Sequence, residues 1–263
     1  RRTLRKELTK ARRLVARLTR ERDDDPAASN RRIAAARQRA ARERAGRVRA
    51  ALDKLDEIEA ERERRAKTNK GQVAKQKEPR ASTTDAQARV MKMADGGYRP
   101  AYNCQLATVA EGQIVVEADV VAVGSDRGLL RPMVERIEQR HERRPKRYLV
   151  DGGFTKNDDT EWAWQQGVKV YGPAINNKHK TDPYAPRPGD GPGVAAWRRR
   201  MKSAHGKGVY KRRAPGECIN ARLRQWGLHQ FKVRGLDKVN TMLRWYALTN
   251  NILAGHRLLA AVG

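Results

Sequence analysis

In a chain this basic, the acidic side chains with chemistry to offer are those standing in apolar or small-residue surroundings, and Asp151 is the clearest of them. In the run YLVDGGF an apolar strand leads straight into an aspartate followed by two glycines. That order puts a carboxylate at the carboxyl end of a buried strand, where α/β sheets bind ligands, with permissive backbone beside it. An aspartate after a strand also serves as an ordinary turn residue or helix cap. A second candidate is Asp85, in STTDAQARVMKM at the start of a first strand. Ser-Thr-Thr-Asp equally reads as a turn, and Asp95, Asp119 and Asp126 compete with it. The third candidate is Glu217. Tyr210, Arg213, Glu217 and Arg224 follow one another at offsets of 3, 4 and 7, which on a continuous helix gathers them on one face. Such a glutamate is either salt-bridged in the ordinary way or holds a metal while the cations around it hold phosphates. Pro215-Gly216 stands directly before it, so the helix is expected to restart there, turning Tyr210 and Arg213 relative to Glu217.

The elements that must position these side chains begin after Ser82. Strand-like runs RVMKM, YNCQLATV, QIVVEADVVAV, RYLVDGGF and VKVYGP are interleaved with helical stretches GLLRPMVERIEQRHER and TEWAWQQG. Strands first, then strands alternating with helices, predict a mixed α/β layout. A Pro/Gly-rich interruption, DPYAPRPGDGPG, is followed by helical segments near 195–202, 217–224 and 239–259. Ahead of this region the pattern is different. Leu4, Leu8, Ala11, Leu14, Val15 and Leu18 recur at helical spacing, Asp25-Pro26 stops that helix, and Asn30 can cap the next. A second helix from about 31 to 66 carries the stripe Ile33, Ala41, Val48, Leu52, Leu55 and Ile58. The two read either as an αα-hairpin or short antiparallel coiled coil, or as a solvated charged arm. Residues 68–82 are polar, basic and aperiodic, hence a linker. The domain expectation is an arm over 1–67, a linker over 68–82 and a catalytic domain over 83–263.

Composition narrows the partners. The 263 residues carry a formal net charge of +28, with 38% hydrophobic and only 5% aromatic residues. The whole chain cannot be one compact core, and that charge points to a polyanionic partner, most simply nucleic acid. Cys104 and Cys218 are the only cysteines and are far apart, which supports neither a disulfide framework nor a structural zinc site. No apolar run approaches the roughly 18 residues of a membrane span, and no signal peptide opens the chain. A soluble, cytoplasmic protein is expected, and a first residue Arg1 inside a helical pattern reads as a fragment.

At this point the residues resemble a known family. Tyr210-x2-Arg213-x3-Glu217-x6-Arg224 resembles the YREK signature of bacterial insertion-sequence DDE transposases, with arginine in place of the final lysine. RYLVDGGF resembles the strand carrying the family's second aspartate, TTDAQARVMKMADGGYRPAYNCQLA its first two strands, and GLHQFKVRGLDKVNTMLRWYALTNNI its closing segment. The resemblance spans roughly 82–259. It implies an RNase H-like mixed sheet flanked by helices, here preceded by the helical hairpin or coiled-coil arm. It implies Asp85, Asp151 and Glu217 as catalytic, metal-holding carboxylates, with Asp95 the alternative to Asp85. The metal would be two Mg²⁺ ions, Mn²⁺ substituting. Tyr210, Arg213, Arg224, Lys232 and Arg234 would contact DNA. The implied partner is double-stranded DNA, at element ends and target, bound by a homodimer at the nucleoid without membrane involvement. The implied activity is metal-dependent cleavage at the element ends followed by strand transfer, from an N-terminally truncated chain. The alternative is a non-catalytic basic DNA-binding remnant.

Overall fold

The computed structural model describes residues 1–24, 31–68, 78–93, 95–175 and 182–261. The expected helix stop at Asp25-Pro26, the cap at Asn30 and most of the linker lie outside these residues. The chain divides into two compact units, Arg1–Tyr102 with Val233–Leu236, and Asn103–Lys232 with Asp237–Gly263.

The first unit is led by α1 (Arg2–Asp24) and α2 (Arg31–Thr68). They lie antiparallel: Arg1 pairs with Asp56 and Glu59, Arg44 with Glu7, and Gln38 donates to Thr19 at 2.8 Å. The predicted spacing is what buries Leu8 and Ala11 against Ala41, Val48, Leu55 and Ile58. Ile33 is the exception at 51% exposure. Thr19 and Arg22 meet Gln38, so polar contacts already replace the apolar strip before it reaches Ile33. A short hairpin follows, β1 (Arg89–Lys92) with β2 (Tyr98–Ala101), antiparallel and joined through Asp95, which accepts from the Gly97 amide and pairs with Arg99.

The second unit is mixed α/β. An antiparallel hairpin, β3 (Asn103–Thr108) and β4 (Val115–Val121), is followed by α3 (Leu130–His141). Next come β5 (Arg147–Leu149), the crossover helix α4 (Asn157–Gln165) and β6 (Lys169–Tyr171). β5 and β6 pair in parallel, and a parallel pair requires such a crossover. Leu130 and Val134 of α3, Ala163 of α4, and Val150, Val168 and Val170 form one buried cluster. Arg140 and Arg136 of α3 reach Glu117 (2.6 Å) and Asp119 (3.2 Å) on β4, so the buried acids of β4 hold that helix in place.

From β6 the chain passes through the Pro/Gly-rich segment to α5 (Pro192–Lys202), α6 (Ala204–Lys211), α7 (Ala214–Gln225) and α8 (Leu236–Ala260). α5 has no side-chain cap of its own at its start. Glu161 of α4 supplies one from a distance, accepting from the amides of Gly193 (3.1 Å) and Val194 (3.0 Å). Tyr171, Val194, Trp197, Met201 and Val209 make a second buried cluster, with Trp197 donating to the Gly172 carbonyl at 3.1 Å. Gly206 lets α6 turn back against α5, because any Cβ there would run into the Arg200 carbonyl. α6 is therefore a helix separate from α5.

Candidate functional site

The predicted carboxylates divide between the units. Asp85 lies in the first, and both of its oxygens are engaged. Oδ1 accepts from the Gln87 amide at 3.1 Å, while Oδ2 accepts from Tyr102 Oη at 2.7 Å and the Gly235 amide at 2.9 Å. Burial first, and then the hydrogen bond and charge of Asp85, push the Tyr102 phenol upward. The alternative, Asp95, is occupied in the β1–β2 turn, and Asp119 is buried on Arg136.

The second unit brings Asp151 and Glu217 together. Asp151 follows β5 in extended conformation, at the start of a 3₁₀ turn over Gly152–Phe154. Glu217 sits in the first turn of α7, where a negative charge is favoured by the helix amides. The helix does restart as the proline requires, but the break falls at Arg212–Arg213, and Pro215 is already within the first turn. The expected restart is thus found slightly ahead of Pro215, between two separate helices. Tyr210, Arg213 and Glu217 nonetheless stay together, because the backbone at Arg213 remains right-handed helical. The Arg213 guanidinium lies 5.8 Å from the centre of the Tyr210 ring, and it reaches Asp151 Oδ1 at 2.8 Å as well as Glu217. Both carboxylates are open to solvent, with side-chain exposures of 54% and 62%.

What holds α7 there is a set of anchors to the β3–β4 hairpin. Arg212 pairs with Glu111, and Gly216 packs where a Cβ would come 3.1 Å from Thr108 Oγ1. Arg222 donates to Gln113 Oε1 at 2.7 Å and to Asn250 Oδ1 of α8 at 2.8 Å. One further carboxylate stands beside Gly153, two residues after Asp151. Asp126 accepts from Asn103 (2.8 Å) and Gln105 (3.0 Å), and a Cβ on Gly153 would lie 3.5 Å from its Oδ2. In the sequence Asp126 is one competitor among several, and no local signal there distinguishes it. Arg224 and Lys232 are exposed in the second unit and Arg234 in the first.

Among the described residues, no group of three or more His, Cys, Asp or Glu side chains is placed to hold a metal ion. Asp151 and Glu217 already converge on one cation, however. Their hard oxygens suit Mg²⁺, which takes as few as one or two protein carboxylates and completes its shell with water and phosphate oxygens. The donor type is thus that of a divalent-ion site, and here Arg213 occupies both carboxylates.

The family described as Transposase DDE domain matches residues 53–252, and the chain belongs to that family. DDE transposases move DNA segments and generally use a divalent metal, so transposition, with DNA as partner, is the process this chain belongs to. No curated protein and no solved structure matches the chain. No helix among the described residues is long and apolar enough to cross a membrane.

Proposed function

We propose that the chain carries the catalytic part of a YREK-group insertion-sequence transposase, cleaving DNA at element ends and joining them to target DNA. The observation that carries this reading is the convergence of Asp151 and Glu217 on Arg213. Asp151 and Glu217 would hold Mg²⁺, with Asp85 the third carboxylate implied by the resemblance. Bound divalent ions there supply Lewis acidity to the phosphodiester and make water a better nucleophile. Arg213, displaced from the carboxylates, is placed to take a phosphate oxygen, and the Tyr210 ring beneath its guanidinium limits where it can go. In the first reaction water oxygen bonds to phosphorus and the 3′ oxygen leaves with a proton. In the second that 3′-OH attacks a target phosphodiester, one P–O bond forming as another breaks. Arg224, Lys232 and Arg234 would grip the backbone. The domain would be RNase H-like over 83–263, preceded by a coiled-coil arm, and would act as a homodimer on DNA at the nucleoid.

A second reading, a DNA-binding remnant without catalysis, is favoured by one observation. Every described bond of Asp85 is that of a turn cap and cross-link. The two readings part on Mg²⁺- or Mn²⁺-dependent nicking of supercoiled DNA. Asp151→Asn and Glu217→Gln are expected to abolish nicking with DNA binding retained. Binding without metal-dependent nicking by the unsubstituted protein selects the remnant.

A further inference from the structure

Beside this site the second unit contains a cleft of about 1140 Å³ whose lining runs from the loop between α3 and β5 to Arg213. Its volume exceeds the roughly 300–1,000 Å³ usual for small-molecule pockets. Its rim is cationic. Arg143, Arg144, Lys146 and Arg147 come from the loop RRPKR, and Arg212 from the far side. Arg144 is paired with Glu138 and Arg212 with Glu111. Arg143, Lys146 and Arg147 are exposed, and none makes an ion pair among the described residues. Three cations within five residues, all on the lining of one cleft, make this rim a concentrated positive patch that suits a polyanion. The floor has the opposite character, formed by Ala107, Val116, Ile137 and Tyr148.

A cationic rim over an apolar floor does not suit a duplex, whose base faces are stacked on one another and only whose base edges are open in the grooves. It suits a single strand, whose phosphates follow the rim while unstacked bases lie against the floor. The direction of the cleft adds to this. From Arg147 the chain runs along β5 to Asp151, about 13 Å at ~3.3 Å per residue, and Arg213 belongs both to the lining and to the carboxylate pair. We propose that this cleft holds a single strand of DNA next to the phosphodiester at Asp151 and Glu217. Arg143, Lys146 and Arg147 bind its phosphates. The inference rests on the catalytic reading above, since it gives the strand freed by cleavage a seat.

The test is fluorescence anisotropy of the full chain with a labelled single-stranded 20-mer, titrated over a series of NaCl concentrations. The same series is run with the duplex and with RNA of the same sequence. Arg143→Ala/Lys146→Ala/Arg147→Ala should weaken single-strand binding at least tenfold and lower the salt slope by about 2, three contacts at ~0.7 each. Duplex binding should change much less. Arg143→Lys/Lys146→Arg/Arg147→Lys should restore both slope and affinity. Unchanged single-strand affinity and slope overturn the proposal, as do equal losses on duplex and single strand, or a preference for the RNA. Nicking of supercoiled DNA is measured in parallel. If it is metal-dependent and lost in Asp151→Asn while the triple variant binds single strands normally, the catalytic reading stands and this inference falls.

Discussion

Asp190 and Arg198 offer the sharpest test of how the segment leading to α7 is held. Arg198 is 3% exposed, and its Nε and Nη2 meet the two oxygens of Asp190 at 2.7 and 3.3 Å. Its Nη1 donates to the Pro183 carbonyl at 2.5 Å, and the guanidinium lies 5.5 Å from the centre of the Trp197 ring. The pair ties the Pro/Gly-rich segment to α5, from which α6 and α7 follow. Removing one partner of a buried pair leaves an uncompensated charge, at a cost of about 3–5 kcal/mol. Asp190→Ala should therefore lower unfolding stability by about that amount. Arg198→Met should also destabilise, leaving a buried carboxylate without its fork of donors. The double variant replaces the pair by apolar surface and should recover most of the loss, giving a coupling energy of about 2 kcal/mol or more. Urea unfolding followed by tryptophan fluorescence, which includes Trp197, reads all four corners of the cycle. The pH dependence supplies a second handle. Burial alone would raise the Asp190 carboxyl, but the Arg198 hydrogen bond, the Arg187 amide and the nearby guanidinium charges outweigh it and hold it below its ordinary value. Its contribution is thus full above about pH 4, near the unfolded pKa, and disappears as pH falls through the lowered folded value. The gap between wild type and Asp190→Ala should close over that acidic window. A single-variant cost under about 1 kcal/mol, or a double variant no better than the sum of the singles, would refute the reasoning.

Two further outcomes are expected. Gly206→Ala should destabilise by about 1–3 kcal/mol, since its methyl must displace the Arg200 backbone rather than a side chain; a melting temperature equal to that of wild type would contradict the close approach of α5 and α6. At pH 8, Cys218, which is exposed, should be alkylated by iodoacetamide well before Cys104, whose thiol is pushed up to about 11 by burial. Mass spectrometry of the labelled peptides decides the order, and labelling of Cys104 first would count against its placement on β3.

Local features were the legible ones. The strand leading into Asp151, the helical stripe of α1 and the proline-forced restart before Glu217 depend on neighbours a few residues away, which is the range over which periodicity and turn chemistry act. What the sequence hides is pairing across distance. Glu217 lies four residues from Arg213 and that contact follows helical spacing, but nothing local announces that Arg213 also meets Asp151. The Asp85 carboxylate looked available for chemistry because the Gly235 amide that fills it lies 150 residues away. Similarly, the cap of α5 has no local sequence signal, since Glu161 arrives from another helix.

The second asparagine of the NN pair in α8 has a consequence for solubility. Asn251 Oδ1 accepts from the Val115 amide at 2.8 Å, and its Nδ2 donates to the Val115 carbonyl at 2.7 Å. Asn250 holds the Gln113 carbonyl at 3.0 Å in the adjoining turn. One side-chain amide thereby makes the two bonds that a neighbouring strand would make at the start of β4. Uncovered strand edges recruit strands from other chains, and proteins block them in order to stay monomeric. In this chain a helix does the blocking, so cutting the chain before Asn250 exposes a sticky edge as well as shortening a helix, and aggregation is the expected symptom.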